Sequence, residues 1–194
     1  MRTIFVDRDG VINKDPGGWT EHNYVTEWKD FHFLPGALEA LKLLNRNGIR
    51  VIVISNQAGV SKGYFTKEEL DKVNSKMLDE IGKRGGRIEG VYYCIHKDED
   101  NCLCRKPKTG LFETAVSAFK INPKNTYFIG DTRIDIAAGN NIGCKTILVL
   151  SGLATLEEMK KWDVKPDYVF KGILEAIKWL LNKEKRRSER ALRR

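Results

Sequence analysis

Residues 3–10 of the sequence read Thr3-Ile4-Phe5-Val6-Asp7-Arg8-Asp9-Gly10. The first four residues are mainly apolar without polar alternation, which is typical of a strand that is buried on both faces. Two carboxylates and a glycine follow at once. In an open parallel sheet, ligands bind beyond the carboxyl ends of the strands. The segment therefore predicts a parallel α/β sheet whose functional groups begin at Asp7.

Short apolar runs alternate with longer segments of helical period along the whole chain. We predict strands at residues 3–6, 51–54, 90–93, 126–129, 145–150 and 168–170, and helices at residues 37–47, 67–83, 110–119, 134–141 and 173–185. Such interleaving implies right-handed crossovers between parallel strands. The sequence therefore predicts a doubly wound, Rossmann-like three-layer α/β fold with a central parallel sheet and no large cap domain.

The size and charge of the chain suggest one domain with a basic end. The 194 residues, 41% of them hydrophobic, suit a single sizeable core, which we assign to residues 1–182. Residues 183–194 form a predicted basic tail, whose seven Lys or Arg and two Glu supply +5 of the net charge of +8. Such a tail can bind nucleic acid or anionic surfaces, but a solvated helix end or frayed terminus is the simpler interpretation.

Compartment and assembly are only partly indicated by the sequence. No apolar run approaches the roughly 18 residues of a membrane span, and no signal peptide is recognisable. We therefore expect a cytoplasmic protein without a membrane partner. The sequence carries no signal for an oligomeric state.

Carboxylates gather at the ends of two predicted strands. Asp7 and Asp9 follow the first strand, and Asp131 and Asp135 follow the fourth. An Asp-x-Asp pair alone can simply cap a turn or a helix. Four carboxylates at one sheet edge would repel one another unless a cation neutralises them, and oxygen ligands suit a hard ion. The pattern predicts a magnesium site.

A second predicted metal site lies in residues 94–104. Cys94-x-His96 and Cys102-x-Cys104 supply four soft or borderline ligands, a set typical of closed, structural zinc sites. Disulfides are disfavoured because no oxidising compartment is indicated. The remaining cysteine, Cys144, precedes an apolar run and is interpreted as a small buried hydrophobe.

The motifs at the strand ends resemble those of the haloacid dehalogenase-like (HAD) superfamily of phosphohydrolases. The resemblance rests on residues 7–13, residues 55–57, Lys106 and residues 130–135, and it spans almost the whole chain. Residues 55–60 and residues 104–107 resemble in particular the cap-less, zinc-containing branch whose members act on heptose bisphosphate or histidinol phosphate.

This resemblance implies roles for the four aspartates. Asp7 is the expected nucleophile, which forms an aspartyl-phosphate, and Asp9 is the expected general acid and base, with its backbone carbonyl facing the metal. Magnesium is expected on Asp7, Asp9 and Asp131. Asp135 is expected behind the metal ligands, where it orients a metal-bound water or Lys106.

The same resemblance implies a set of phosphate-binding and substrate-binding residues. Ser55 and Lys106 are expected to assist catalysis by contacting the phosphoryl oxygens. Arg105 is expected to grip a second phosphate or another anionic group. Residues 14–33 form a candidate flap over the site, although its Pro-Gly-Gly is equally a plain turn. The predicted substrate-binding residues are Asp15, Gly17, Gly18, Ser55, Asn56, Gln57, Arg105 and Lys106.

The resemblance implies a small phosphorylated metabolite as substrate, with heptose 1,7-bisphosphate first and histidinol phosphate second. Thr132 stands where the heptose enzymes carry a lysine, which suggests either another substrate or a compensating cation such as Arg133. Arg133 also reads as a solvated helical residue. A polynucleotide phosphatase is a further alternative because of the basic tail. A non-catalytic module that binds nucleic acid is disfavoured because the zinc loop is too short to contain a recognition helix.

Overall fold

Six parallel strands form the centre of the molecule in a computed structural model that describes residues 3–192. Their order in the sheet is β3-β2-β1-β4-β5-β6. This arrangement confirms the predicted doubly wound sheet. The strands are β1 (Thr3–Val6), β2 (Arg50–Asn56), β3 (Gly90–Cys94), β4 (Tyr127–Gly130), β5 (Lys145–Val149) and β6 (Tyr168–Phe170).

Helices connect the strands and cover both faces of the sheet. They are α1 (Ala37–Arg46), α2 (Lys67–Lys83), α3 (Gly110–Phe119), α4 (Arg133–Ile142), α5 (Leu156–Lys160) and α6 (Ile173–Leu192). The predicted bounds of α1, α2, α3 and α4 agree within one residue, and the start of α6 is predicted correctly. Helix α5 was missed because it is too short to show helical periodicity. It is defined instead by the capping box of Thr155 and Glu158.

Helix α6 continues to Leu192, beyond the predicted end at residue 185. Residues 183–192 of the predicted basic tail therefore form the last turns of α6, whereas residues 193–194 of the tail lie outside the described residues. No glycine or proline interrupts the segment, so the helix has no local reason to stop. No helix among the described residues is both long and apolar enough to cross a membrane.

The side chains of β1 divide the core between the two faces of the sheet, because successive residues of a strand point to opposite faces. Ile4 and Val6 pack in a cluster that includes residues of α1, α2 and α6. Phe5 packs in a second cluster with Phe112 of α3 and Phe128 of β4. The edge strands β3 and β6 are mostly half-buried. Burial of each such large side chain stabilises the fold by about 1.5–3 kcal/mol.

The strand order reverses between β1 and β4, and this position brings the two aspartate motifs together. Val6 pairs with Ile129 in the sheet. The Asp7 amide donates to the Ile129 carbonyl at 2.8 Å, so the ladder extends one residue past β1. Asp7 and Asp131 consequently stand side by side at the carboxyl edge. This is the position at which open α/β sheets bind ligands.

Candidate active site

Lys106 lies between two carboxylates in the interior of the protein. Its Nζ donates to Asp7 Oδ1 at 2.9 Å, to Asp135 Oδ1 at 2.7 Å and to the Ile54 carbonyl at 3.0 Å. Burial alone would lower the pKa of Lys106, but Asp135 and Asp7 outweigh it and raise that pKa above its usual value. The lysine therefore stays charged beside Asp7.

Three buried carboxylates converge at the end of the sheet. Oxygens of Asp7, Asp131 and Asp135 all lie within 4.8 Å of one another. Burial, opposed by Lys106 and reinforced by Asp135 and Asp9, raises the pKa of Asp7 to about 7. Burial and the neighbouring carboxylates raise the pKa of Asp131 well above its usual value. A buried, oxygen-only donor set with excess negative charge fits a hard divalent cation.

Asp131 is confined by Gly10 of the first motif and by Gly152, which sequence reasoning missed. A Cβ at Gly152 would lie 2.0 Å from Asp131 Oδ2, and one at Gly10 would lie 2.2 Å from it. The Leu153 amide donates to the same oxygen at 2.9 Å. Ser151 Oγ donates to the Gly10 carbonyl at 2.8 Å and ties the two loops together. The available signal was Ser151-Gly152, which directly follows the run of β5.

Asp135 is held at the N-terminus of α4 by Thr132. Its Oδ2 accepts from Thr132 Oγ1 at 2.6 Å, while its amide donates to that hydroxyl in a capping box. The carboxylate thus has a helix cap on one oxygen and Lys106 on the other. Arg133 points elsewhere and forms a two-pronged ion pair with Asp163 at 2.8 and 2.7 Å. Arg133 does not line the cavity, so this geometry gives no support to the alternative in which Arg133 compensates for the missing lysine.

Asp9 is surrounded by hydrogen-bond donors. Its carboxylate accepts from Gln57 Nε2 at 2.7 Å, from Asn13 Nδ2 at 2.8 Å and from the Arg8 guanidinium at 3.1–3.3 Å. Arg8 is only 1% exposed and also contacts Asn74 of α2. Sequence reasoning assigned no role to Arg8, Asn13 or Asn74. The contact between Arg8 and Asn74 is long-range and left no local pattern, whereas Arg8 and Asn13 both stand inside the motif at residues 7–13.

The residues that end β2 serve two different purposes. Asn56 exchanges two hydrogen bonds with the backbone of Lys106, at 3.0 and 3.1 Å, and so holds that backbone in place. Ser55 Oγ accepts from Gln57 Nε2 at 2.9 Å, which leaves its own proton available to a ligand. Ser55 and Asn56 line the cavity above the carboxylates, whereas Gln57 is buried behind it.

A cavity of about 430 Å³ opens above these groups. Asp15 and Pro16 of the flap line it, whereas Gly17 and Gly18 are exposed in the adjoining turn and do not. The flap is fixed against the segment that follows β2 by a stack of His22 on Tyr64, with ring centroids 4.3 Å apart. The lining residues include Asp7, Asp9, Asp131, Asp135, Lys106, Ser55, Asn56, His22, Asn23, Tyr24, Lys62, Tyr64, Thr132, Ile134 and Arg105.

The predicted zinc ligands form one compact group. The Sγ atoms of Cys94, Cys102 and Cys104 lie 3.1–3.5 Å apart, and His96 Nδ1 lies 3.3 Å from Cys104 Sγ and 3.6 Å from Cys94 Sγ. These separations exceed a disulfide bond of about 2.05 Å. They approach the roughly 3.7 Å between the sulfurs of a tetrahedral zinc site with Zn–S distances of about 2.3 Å. The donor set therefore fits zinc, while Cys144 is buried apart from it as predicted.

Arg105 leaves the zinc loop directly after Cys104 and reaches the rim of the cavity. Its Nε donates to Asp98 at 2.6 Å, and its side chain is 19% exposed. Its guanidinium also donates to the His96 carbonyl at 3.4 Å. The loop that carries the cysteines thus sets the position of Arg105 above the carboxylate cluster.

The sequence matches a family model and several named proteins. The HAD-hydrolase-like family model matches residues 103–176. A D-glycero-beta-D-manno-heptose-1,7-bisphosphate 7-phosphatase of Neisseria meningitidis serogroup A is 38% identical over 78% of this chain and 79% of its own length. The Haemophilus ducreyi protein of the same name is 34% identical over 92% of this chain and 98% of its own length.

A solved structure agrees with these relatives. The D,D-heptose 1,7-bisphosphate phosphatase from B. bronchiseptica, complexed with magnesium and phosphate, superposes with a TM-score of 0.85 at 27% identity and covers 94% of this chain and 99% of that one. The fold and the site thus define a HAD-like phosphoric monoester hydrolase. The chain belongs to the HAD-like phosphatase family that includes the D-glycero-beta-D-manno-heptose-1,7-bisphosphate 7-phosphatases.

Proposed function

We propose that this phosphatase is magnesium-dependent and removes the C7 phosphate of D-glycero-D-manno-heptose 1,7-bisphosphate through an aspartyl-phosphate intermediate. The observation that carries the proposal is the buried group of Asp7, Asp131 and Asp135 beside Lys106, in a chain 38% identical to a relative of that name. The complex of the B. bronchiseptica enzyme with magnesium and phosphate supports the same chemistry.

In the first step, a carboxylate oxygen of Asp7 attacks phosphorus while the bond between phosphorus and the C7 oxygen breaks. Asp9 gives its proton to the leaving alkoxide. The phosphoryl oxygens are contacted by Lys106, by Ser55 and by the part of Asn56 that lines the cavity. These contacts stabilise the negative charge of the transition state. Asp7, Asp131 and the Asp9 backbone carbonyl would hold magnesium, which when bound would supply further positive charge for the phosphoryl oxygens.

In the second step, Asp9 takes a proton from water, and the oxygen of that water attacks the phosphorus of the aspartyl-phosphate. The bond between phosphorus and the Asp7 oxygen breaks, which releases inorganic phosphate and restores the carboxylate. Asp135 is a positioning residue, because its two oxygens are engaged by Lys106 and by Thr132. It aligns the lysine and, through it, Asp7.

Substrate selection is proposed to occur at the outer part of the cavity. Arg105 and Lys62 both line this part and supply positive charge for the second phosphate. Asp98 holds Arg105 at 2.6 Å and would yield to that phosphate. Asp15 at the flap is a proposed contact for sugar hydroxyls, with Gly17 and Gly18 shaping its turn.

The zinc loop is proposed as a structural element. Zinc on Cys94, His96, Cys102 and Cys104 would order residues 94–104 and thereby fix Arg105 and Lys106. We propose that residues 1–182 act as one catalytic unit that includes this loop, with residues 183–194 as an extension of it. Clustered cysteines that bind a metal and form no disulfide suit a reducing compartment, which supports a cytoplasmic location.

A phosphate-release assay tests the substrate. With magnesium present, kcat/KM is expected to be highest for a heptose 1,7-bisphosphate anomer and lower for histidinol phosphate, because only the bisphosphate can use Arg105. Asp7→Asn should lower kcat by about 10⁴-fold or more for every ester. A higher kcat/KM for histidinol phosphate would contradict heptose bisphosphate as the preferred substrate but would remain consistent with phosphatase activity. Unchanged turnover in Asp7→Asn would reject the mechanism.

A further inference from the structure

A second cavity lies at the opposite edge of the sheet from the active site. Its volume is about 740 Å³, and it is lined by Tyr127 and Lys145, the first residues of β4 and β5, together with residues of α6. Because the strands are parallel, their first residues stand at the edge remote from Asp7 and Asp131. The phosphatase reaction assigns no role to this cavity.

Cationic side chains dominate the wall of this second cavity. Lys145, Lys183, Arg186 and Arg187 supply four positive charges, and Glu184 supplies one negative charge, which leaves +3. Residues 183, 186 and 187 are three and four positions apart, so their side chains share one face of α6. Lys145 meets them from the sheet. The fold thus concentrates positive charge at one concave place.

These cations surround one concave surface that carries fewer carboxylates than cations. Some basic side chains elsewhere pair with carboxylates, as in Lys67–Asp71 at 2.7 Å and Lys83–Asp79 at 2.7 Å. In the part of the chain that the structure describes, no ion pair with a carboxylate involves Lys145, Arg186 or Arg187. Glu184 offsets only one of the four positive charges, so a bound anion would relieve the remaining repulsion.

Lys183 is the most rigidly held of the four cations. Its Nζ donates to Tyr168 Oη at 2.7 Å and lies 4.5 Å from the centre of the Tyr168 ring. It also lies 4.6 Å from the centre of the Trp179 ring. Such cation–π contacts fix an ammonium group without neutralising its charge. Trp179 and Tyr127 add an aromatic wall to the same cavity.

We propose that this second cavity binds a nucleoside di- or triphosphate. The phosphates would contact Lys183, Lys145 and the two guanidiniums, whose planar forks suit phosphate oxygens. The base would pack against the aromatic wall. A volume of about 740 Å³ lies within the range of small-molecule sites, which favours a mononucleotide over a polymer.

Calorimetric titration of the full chain with adenosine triphosphate tests this site. EDTA removes magnesium and so prevents hydrolysis of the nucleotide during the titration. The variant Asp7→Asn is titrated in parallel to test whether the observed binding depends on the active site. The double variant Lys145→Glu/Arg187→Glu should weaken binding by about tenfold or more, because two attractive charges become repulsive. The matched double variant Lys72→Glu/Lys76→Glu, on exposed positions of α2, should bind as the wild type does.

Further measurements distinguish a nucleotide site in the second cavity from binding at the active site, from a site for phosphate groups alone and from a site for an oligonucleotide. Phosphatase kcat/KM of Lys145→Glu/Arg187→Glu should equal that of the wild type, which also verifies folding. Inorganic triphosphate should bind more weakly than the nucleotide, since it lacks a ring for Trp179. The proposal is overturned if the double variant binds normally, if Asp7→Asn abolishes binding, if inorganic triphosphate binds equally well, or if an oligonucleotide binds far more tightly than the mononucleotide.

Discussion

The Lys106 ammonium lies 2.9 Å from the Asp7 carboxylate, at a place where both side chains are almost fully buried. One residue follows strand β1 and the other leaves the zinc loop, so the contact joins two distant parts of the chain. The lysine opposes the burial that raises the pKa of Asp7. Within the described residues, Lys106 is also the one cation at ion-pair distance from the cluster of Asp7, Asp131 and Asp135. The proposed nucleophile, the proposed phosphate contact and the stability of the buried site therefore involve the same pair.

Replacing this lysine should affect activity and stability together. Lys106→Met removes the charge but keeps much of the apolar stem, and it leaves Asp7 and Asp135 buried without their partner. We expect a loss of kcat of about 10²-fold or more and a loss of about 3–5 kcal/mol of unfolding free energy in the metal-free protein. Activity assays and urea unfolding in EDTA measure both. The exposed Lys124→Met is the control, and equal stability of the two variants would contradict the prediction.

Gly152 should be essential because of its distance from Asp131. In Gly152→Ala, the new methyl group would meet Asp131 Oδ2 at 2.0 Å, so the carboxylate must move out of the metal-binding group. We expect the magnesium concentration for half-maximal activity to rise by about tenfold or more. Gly82→Ala is the matched control, because no atom lies within 4 Å of that Cβ. A normal magnesium requirement in Gly152→Ala would show that Asp131 does not hold the metal from this position.

Magnesium should stabilise the protein more as the pH rises. Burial raises the pKa of Asp7 to about 7, whereas in the unfolded chain it is about 3.9. The folded, metal-free state therefore binds the extra proton between about pH 4 and pH 7, and its stability falls as the pH rises through that window. Magnesium requires the ionised form, so it competes with this proton.

Thermal unfolding with and without magnesium measures the effect. The increase in Tm on adding magnesium is expected to be larger at about pH 8 than at about pH 5.5. Asp131→Asn provides the control, because it removes one of the proposed ligands and should reduce the increase at both values. An equal increase in the wild type at both pH values would mean that proton release does not accompany metal binding.

Zinc content should depend on the cluster of Cys94, His96, Cys102 and Cys104 and not on Cys144. Cys102→Ser is expected to reduce bound zinc from about one equivalent per chain and to lower kcat, since Arg105 and Lys106 leave directly from this loop. Cys144→Ala should retain its zinc, because Cys144 lies outside the cluster. Elemental analysis of the purified variants measures this. Full zinc occupancy in Cys102→Ser would exclude this thiol as a ligand.

The fold could be predicted from the sequence because its signals are local. Apolar strands such as β1, and caps such as Thr66 with Glu69, are defined by neighbouring residues. The strand-end motifs could be grouped because parallel strands share a carboxyl edge. Two kinds of contact could not be predicted, those of Gly152 with Asp131 and those of Asn56 with the Lys106 backbone. They arise only when loops that are distant in the sequence pack together. Helix α5 was missed for the opposite reason, because five residues carry too little periodicity.

Arg105 should discriminate between substrates with one and with two phosphates. Its guanidinium lies at the rim of the cavity, where Asp98 binds it and where the proposed second phosphate would compete with Asp98. Arg105→Ala is expected to lower kcat/KM for the heptose bisphosphate by about 10–100-fold, the loss of a charged hydrogen-bonding pair, while a monophosphate loses little. Arg133→Ala removes a guanidinium that is bound to Asp163 instead, and should change neither value. If Arg105→Ala slows both esters equally, the arginine supports the loop and Lys106 rather than the second phosphate.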